Sequence, residues 1–524
     1  MKVTALDGKV DAPSQRMSAQ WWSYLVFTLC AGLYLLPFMR FMWLGSDEGM
    51  LLCGATKIAQ GQVFARDFFE VIGPGTFYWL AAFFKLFGTS FLVARICLFV
   101  SSLGTALTVF FLSRQVCRRY QLLPCILLGA VQFGTAWPGV SHHLDSNFTS
   151  LLCVSCMVLW NSKRKLRWLI AAGVLAGVTT CIHQPKGVLL FGAVLLWLWM
   201  QSRKTPMPLL SAGVFAASFT LVIVIVLAYF WSQGALPSLV YANYTFPSQH
   251  YSSANKVAYA QGIKREYWDL WMMMVGRFKW AVPIGLVLIF PLVVVAAIVP
   301  LILLLAFRYD RGSMTPTVLL FFLSSCAIWI SELHRLDIYH LVFASPLWII
   351  LFVHMLGDKD TRIRHLASRT LATDAAFLMA FNFFVVAGLA HPIATRVGTV
   401  HVLGNDPAFN FLNETLPRGA EIWVYPYSPS YYFLTGSTNP TRLSILVYSL
   451  HTRSQFDEVL KVLESRKVKY VVWDTKFISR VSGEIYPGAQ PPASDYLIEP
   501  YLQSHYKPVR DFNGVQILER TEGN

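Results

Sequence analysis

The chain has 524 residues, of which 55% are hydrophobic, 15% aromatic and only 14% charged, and its mean hydropathy is +0.50. Soluble domains carry about 25% charged residues, so this composition excludes an ordinary soluble protein and predicts a mainly α-helical, polytopic membrane protein. The net charge of +15 does not indicate a nucleic-acid partner, because residues 391–524 contain 13 basic and 13 acidic side chains and the whole excess lies in the apolar part.

Apolar segments separated by charged clusters predict about eleven membrane spans, several of them shorter than the usual twenty residues. No cleavable signal peptide is evident, so the first span is expected to serve as the signal anchor. The predicted spans are roughly 21–39, 90–113, 121–139, 146–161, 167–182, 187–201, 208–231, 280–306, 316–331, 338–356 and 373–391.

Basic residues orient these spans, since cytoplasmic loops carry an excess of Lys and Arg. Basic clusters follow every second span, beginning with the second. They include Arg118, Lys163, Arg203, Arg308 and Arg362. This pattern predicts a cytoplasmic N-terminus, a transmembrane domain over residues 1–392 and an extracytoplasmic domain over residues 393–524.

The same topology requires that residues 75–88 do not cross the membrane. This stretch is only about 14 residues long and contains Lys85, which suits a helix lying at the interface. The first outer loop, about 40–89, is therefore expected to hold two interfacial helices, at about 47–60 and 75–87.

Asp47 and Glu48 stand side by side at the start of the first of these loop helices. Adjacent carboxylates at a membrane mouth are costly to desolvate, and ionisable groups there are functional candidates by default. A helix N-terminus also favours negative charge, so capping of the helix is an alternative for one of the two.

The C-terminal part reads as a small α/β domain. Residues 421–425 and 468–473 have the composition of strands, and residues 456–467 between them have helical apolar spacing. Residues 506–518 predict a terminal hairpin that turns at Asn513-Gly514.

The remaining polar residues concentrate on the outer side of the membrane. They are Arg66, Asp67 and Glu70; His142, His143 and Asp145; His183, Gln184 and Lys186; and Glu332, His334, Arg335, Asp337, Tyr339 and His340. Carboxylates that can act as bases thus accompany cations that can bind a phosphate. For Lys186 and Arg335 the alternative is snorkelling to lipid headgroups, and His142 and His143 are more typical of the mouth of a span than of a ligand set.

Several motifs carry a resemblance to a known family. They are Ser46-Asp47-Glu48-Gly49, Asp67-Phe68-Phe69-Glu70, the run from Gly73 to Trp79, Leu144-Asp145, Lys186-Gly187, and the run from His334 to His340 followed by Pro346. The chain resembles GT-C superfamily glycosyltransferases, and more closely the bacterial branch related to protein O-mannosyltransferases and the lipid A aminoarabinose transferase (glycosyltransferase family 39-like). The pair His142-His143 is not part of this resemblance.

The resemblance implies an enzyme of the bacterial inner membrane that takes a sugar from a polyprenyl-phosphate carrier. The sugar passes to a lipid, glycan or protein acceptor of the envelope on the extracytoplasmic face, with inversion by a single displacement. Asp47 is then the expected base, with Glu48, Glu70 and Asp145 as further catalytic carboxylates. The residues expected to bind the donor phosphate are Lys186, His334, Arg335, Tyr339 and His340.

No cofactor is required by the resemblance, but metal use varies within the superfamily. A divalent cation therefore stays open, with Asp47 and Glu70 as its candidate ligands. The rival function is a non-catalytic carrier or flippase of lipid-linked sugars, although such transporters usually contain internal repeats and none is evident here. A second rival is an assembly protein whose outer domain binds a polymer.

Overall fold

The computed structural model describes most of the chain. The described residues are 13–44, 47–117, 119–132, 139–202, 208–251, 257–263, 268, 270–276, 278–306, 314–357, 361–448, 450–477 and 498–521. Ser46 and three of the basic residues used above to orient the spans, Arg118, Arg203 and Arg308, lie outside these ranges.

The described residues are mainly helical before the C-terminal part. The helices are α1 (Pro13–Leu35), α2 (Glu48–Ala59), α3 (Pro74–Phe87), α4 (Phe91–Val116), α5 (Leu123–Gln132), α6 (His142–Lys163), α7 (Leu166–Ile182), α8 (Gln184–Met200), α9 (Pro208–Ser232), α10 (Leu236–Val240), α11 (Leu270–Val275), α12 (Ala281–Ala296), α13 (Ile298–Ala306), α14 (Pro316–Glu332), α15 (Ile338–Ala344), α16 (Pro346–Gly357) and α17 (Arg362–Phe384). Short 3₁₀ or π segments follow at Pro37–Arg40, Tyr241–Thr245, Pro247–Tyr251 and Val385–Leu389.

Within the described ranges, three helical segments are long and apolar enough to cross a membrane: α4, α9 and the continuous helix Arg362–Leu389. The number rises to five if each of two bent helix pairs counts as one span. Shorter apolar helices are Trp21–Leu35, Leu123–Gln132, Leu166–Ile182, Gln184–Met200 and Pro316–Glu332. A membrane-spanning helical architecture is thus confirmed, whereas the count of about eleven spans stays a prediction.

The two bent pairs correct the expectation of continuous spans at 280–306 and 338–356. Helices α12 and α13 meet at 64°, and α15 and α16 meet at 68°. Proline explains both breaks, because its ring clashes with the carbonyl four residues earlier and disfavours a helical conformation in the residue before it. Pro300 lies just after the first break, and Pro346 begins the helix after the second.

Helices α2 and α3 confirm the two helices predicted in the first outer loop. Two glycines allow this loop to pack closely against its neighbours. A Cβ atom on Gly49 would lie 2.2 Å from the backbone nitrogen of Ser430, and one on Gly75 would lie 2.8 Å from that of Ile182. The start of α2 therefore lies against the C-terminal part, and the start of α3 lies against the end of α7.

The C-terminal part contains an antiparallel pair and a four-stranded sheet. The pair is β1 (His391–Thr395) with β2 (Gly398–Val402), and the sheet has the order β3 (Ile422–Tyr425), β4 (Tyr470–Asp474), β6 (Val515–Arg520), β5 (Tyr506–Phe512). The helices here are α18 (Pro407–Thr415), α19 (Ser430–Thr435), α20 (Arg453–Ser465) and α21 (Ile498–His505).

Strands β3 and β4 are parallel, and the other neighbours in this sheet are antiparallel. Parallel strands need a crossover connection, and α20 lies in the connection between β3 and β4 as the apolar spacing predicted. The terminal hairpin is also confirmed. Its turn residues Asn513 and Gly514 both have positive φ, which is the requirement of a type I′ turn.

A buried ion pair fixes the start of the outer loop to a membrane-spanning helix. The Arg95 guanidinium of α4 donates to both carboxylate oxygens of Glu48, with Nη2 at 3.0 Å from Oε2, and to the carbonyl of Phe41 at 2.7 Å. The backbone nitrogen of Val140 donates to Glu48 Oε1 at 2.8 Å. Glu48 and Arg95 are 4% and 1% exposed, so three chain segments meet at this carboxylate.

Removing one partner of this pair is expected to destabilise the fold strongly. Breaking a buried ion pair leaves an uncompensated charge and costs about 3–5 kcal/mol. We expect Arg95→Met to lower the thermal unfolding midpoint of the detergent-solubilised protein by far more than Arg466→Met. Arg466 pairs with Glu421 at the surface, where an ion pair contributes only about 0–1 kcal/mol. Equal midpoints for the two variants would contradict this structural role.

The predicted topology is testable with reporter fusions. Alkaline phosphatase is active only outside the cytoplasm. A fusion after Gly404, which follows β2, should be active, and a fusion after Lys163 at the end of α6 should be inactive. The opposite pattern would place Asp47 in the cytoplasm.

Candidate functional site

Asp47 lies at the N-cap position of α2, but its side chain makes no capping hydrogen bond. Instead, the carboxylate accepts a hydrogen bond from the hydroxyl of Tyr427 in the C-terminal part. Burial raises the pKa of Asp47, while Arg335 and His340 lower it and Asp337 raises it. Asp47 therefore lies within electrostatic range of the charged residues that follow α14.

Glu70 is the second acidic group of this region and is 6% exposed. It accepts a hydrogen bond from the hydroxyl of Ser444, again a residue of the C-terminal part. Burial raises the pKa of Glu70 to about 7, although the Ser444 hydrogen bond and Lys57 oppose the shift and Asp47 reinforces it. A carboxyl group with a pKa near 7 can both accept and donate a proton at neutral pH.

Asp145 is buried at the start of α6, and its carboxylate joins three helices. Its two oxygens accept hydrogen bonds from Ser101 Oγ of α4 at 2.6 Å and from Thr76 Oγ1 of α3 at 2.9 Å. Glu48 is likewise held by Arg95. These contacts favour a positioning role for both carboxylates, and their predicted catalytic role stays a prediction.

Glu332, the last residue of α14, is the centre of a buried polar cluster. Its Oε1 lies 2.8 Å from Lys186 Nζ, 3.2 Å from His143 Nδ1 and 3.9 Å from His183 Nε2. Lys186 also donates to Ser146 Oγ at 3.1 Å and to Asn147 Oδ1 at 2.9 Å. Because Lys186 is fully buried, it does not extend to the lipid headgroups.

A second group of charges occupies the turn between α14 and α15. Asp337 caps α15 by accepting from the backbone nitrogen of His340 at 3.0 Å, and it also accepts from His340 Nδ1 at 2.8 Å. Arg335 Nε donates to the other oxygen of Asp337 at 2.5 Å. His334 Nδ1 donates to the carbonyl of Ser331 at 3.1 Å, and Tyr339 is partly buried beside this turn.

The rings of His143 and His340 join the two groups, with their centroids 4.9 Å apart. The structure thus brings together the phosphate-binding candidates Arg335 and His340 and the Lys186 cluster, and Asp47 lies within electrostatic range of Arg335 and His340. The sequence analysis did not identify Tyr427 and Ser444 as partners of the acidic residues, and it did not identify Glu332 as the centre of a cluster. Tyr427 and Ser444 lie almost 400 residues after the acidic residues that they contact, so no local sequence signal could reveal these pairs.

Candidate metal ligands are also grouped here. Within the described ranges, two groups of three His, Cys, Asp or Glu side chains bring their ligand atoms within 4.8 Å of one another. They are His142, His143 and His183, and His143, Glu332 and His340. Asp47 and Glu70 belong to neither group, so their predicted metal role stays a prediction.

Comparisons with known proteins agree with this architecture. A family model described as dolichyl-phosphate-mannose-protein mannosyltransferase matches residues 72–230, from the start of α3 to the end of α9. No curated protein sequence matches the chain.

Solved structures extend the likeness to almost the whole chain. The crystal structure of ArnT from Cupriavidus metallidurans bound to undecaprenyl phosphate is similar with a TM-score of 0.55 at 12% identity, over 96% of this chain and 98% of that chain. ArnT from the same organism in the apo state gives a TM-score of 0.56 with the same identity and coverage. The family model thus matches less than a third of the chain, and the likeness to ArnT shows a shared fold over almost its whole length.

Proposed function

We propose that the protein is a glycosyltransferase that moves a sugar from a polyprenyl-phosphate carrier to an acceptor on the extracytoplasmic face of the bacterial inner membrane. The observation that carries this proposal is that Arg335 and His340 lie within electrostatic range of the Asp47 carboxylate, which the hydroxyl of Tyr427 also contacts. A glycosyl transfer from a lipid phosphate needs a base for the acceptor hydroxyl and cations for the departing phosphate. This site contains both.

Asp47 is the proposed base. Its partial burial keeps bulk water from competing, and its raised pKa makes it a better proton acceptor than an exposed aspartate. Tyr427 holds the carboxylate in position. The base removes the proton of the acceptor hydroxyl as that oxygen attacks the anomeric carbon, and the bond to the carrier phosphate breaks on the opposite face. A single displacement of this kind inverts the configuration.

The departing phosphate meets the cations of the α14–α15 turn in this proposal. Arg335 is oriented by Asp337, which also fixes the ring of His340, so both side chains are held before the donor arrives. His334 and Tyr339 flank them. Lys186 is paired with Glu332, and its contact with the donor phosphate stays a prediction. The undecaprenyl phosphate bound to ArnT is a ligand of the proposed class.

Glu70 is a second candidate for the acid–base step, because its pKa of about 7 suits proton transfer. The cation that lowers the pKa of Glu70 is Lys57, whereas Arg335 and His340 lower that of Asp47. We therefore assign the acceptor proton to Asp47 and a supporting role to Glu70.

The rival function is a carrier or flippase of lipid-linked sugars. Such a protein would use the cations around Arg335 but would have no need of a buried, protonatable carboxylate beside them. Membranes supplied with a panel of radiolabelled polyprenyl-phosphate sugars distinguish the two functions, because only the enzyme joins the label to an acceptor.

Asp47→Asn tests the proposed base. The change keeps the size of the side chain and removes its basicity, and general-base catalysis contributes typically 10²–10⁴-fold. Sugar transfer should therefore fall at least about 100-fold, while donor binding survives. Asp67→Asn is the matched control, since Asp67 lies in the same loop but pairs with Arg66 at the surface. Normal transfer by a folded Asp47→Asn protein would remove Asp47 from the mechanism.

The second prediction concerns Arg335→Gln and has two readouts. Charge-assisted contacts to phosphate contribute roughly 1.5–3 kcal/mol, so donor affinity should fall about ten- to a hundredfold. The positive charge of Arg335 also lowers the pKa of Asp47, so its loss raises that pKa. A base must be ionised to act, and the acid limb of the pH–rate profile should therefore move to higher pH.

Arg66→Gln provides the control for this second experiment, because Arg66 is an exposed arginine of the outer loop that pairs with Asp67. It should change neither donor affinity nor the acid limb. An Arg335→Gln protein with unchanged donor affinity would show that the arginine does not hold the phosphate.

A further inference from the structure

We propose that His143, Glu332 and His340 form a binding site for a divalent transition-metal ion, with Zn²⁺ as the best fit. Two imidazoles and one carboxylate are a common ligand set for zinc sites that keep a fourth position for water or another ligand. The three ligand atoms already lie within 4.8 Å of one another. None of the metal candidates in the sequence analysis includes this set.

The distances within the cluster suit a tetrahedral ion. His143 Nδ1 and Glu332 Oε1 are 3.2 Å apart. Two ligands at the usual zinc distances of about 2.0–2.1 Å in a tetrahedron are separated by about 3.3 Å. The ion takes the place of the proton that His143 Nδ1 shares with Glu332, and this proton is released to solvent, as metal binding to a protonated site requires.

His340 is oriented for the same ion. Its Nδ1 donates to Asp337 Oδ1 at 2.8 Å, so loss of the second ring proton on ion binding leaves the first one there and frees Nε2 as a ligand atom, and the ion then replaces the positive charge of this ring. A carboxylate on the distant nitrogen of a metal-binding histidine is the usual supporting contact, because it fixes the tautomer and raises the basicity of the ring. Asp337 provides this contact.

Glu332 supplies an independent reason for an additional cation. The residue is 2% exposed, and its Oε2 is a buried oxygen without a hydrogen-bond partner among the described residues. Lys186 neutralises the carboxylate through Oε1, which leaves Oε2 unpaired. A buried polar atom without a partner costs about 1–3 kcal/mol, and an ion held through both oxygens of the carboxylate, with Oε1 on the side of His143, would give Oε2 its missing partner.

The neighbouring triad of His142, His143 and His183 is the less suitable site. It has no carboxylate to balance the charge of the ion. His183 Nδ1 already accepts a hydrogen bond from the backbone nitrogen of Lys186 at 3.4 Å, and the other nitrogen of its neutral ring then carries the proton and is no ligand. The ion is therefore assigned to the set with Glu332.

Metal binding to the purified full-length protein in detergent tests this site without any sugar donor. After treatment with a chelator and removal of the chelator, Zn²⁺ titration and elemental analysis should give about one ion per chain. Zn²⁺ should also raise the thermal unfolding midpoint. Co²⁺ in its place should show the visible absorption of a tetrahedral ion.

Two variants and a control make the assignment specific. His340→Asn should abolish the stoichiometric binding, and Asp337→Asn should weaken it roughly 10–100-fold through the loss of the supporting contact. His391→Asn is the control, since His391 is an exposed histidine of β1 and should leave binding unchanged.

Two results would overturn the proposal: wild-type protein that binds no stoichiometric ion, or undiminished binding by His340→Asn together with loss of binding in His142→Asn and His183→Asn. The last result would assign the ion to the three-histidine triad. Because the readouts are ion content, stability and absorption and no sugar donor is present, failure of this site can be distinguished from failure of the proposed glycosyl transfer.

Discussion

Burial of carboxylates is the constraint on which the region around Asp47 and Glu332 depends. A buried carboxylate costs several kcal/mol unless it is paired or fully hydrogen-bonded. Glu48 meets this condition with Arg95 and a backbone nitrogen, and Glu332 with Lys186 and His143. Asp47 departs from this pattern, because the group that donates to its carboxylate is the uncharged hydroxyl of Tyr427. Carboxylates satisfied by strong partners hold the helices together, whereas a less fully paired one keeps a raised pKa and can exchange a proton.

The less fully paired carboxylates have a common feature. Asp47 and Glu70 each accept a hydrogen bond from a hydroxyl of the C-terminal part, Tyr427 and Ser444 respectively. This part therefore closes over the first outer loop rather than standing apart from it. The close approach of Gly49 to the backbone of Ser430 fixes the same interface. A glycine in the acidic motif is thus explained by packing against a distant segment, and the reactive region lies between the loop and that segment.

Much of the fold follows from local patterns in the sequence. The loop helices, the parallel strand pair with its crossover helix and the terminal hairpin are encoded by apolar spacing and turn residues close together in the chain. Pro300 and Pro346 also indicate the two helix breaks, whereas apolar composition alone predicts continuous spans. The partners of the acidic residues are a different matter. Side chains such as Tyr427 reach the site only through tertiary packing, and no periodicity distinguishes this tyrosine from the others.

The charged residues around Glu332 explain why its role in the site was harder to predict from the sequence than that of Asp47. An acidic residue at the end of an apolar helix reads as a boundary marker, and its neighbours His334 and Arg335 suggest a solvated turn. In the structure Glu332 is instead buried in a polar cluster. Helices α15 and α16 meet at an angle at Pro346, and His340 of α15 lies beside His143 and within reach of Glu332. The helix break therefore allows polar side chains of α6, α8 and α14 to meet the α14–α15 turn, whose charged residues lie within electrostatic range of Asp47.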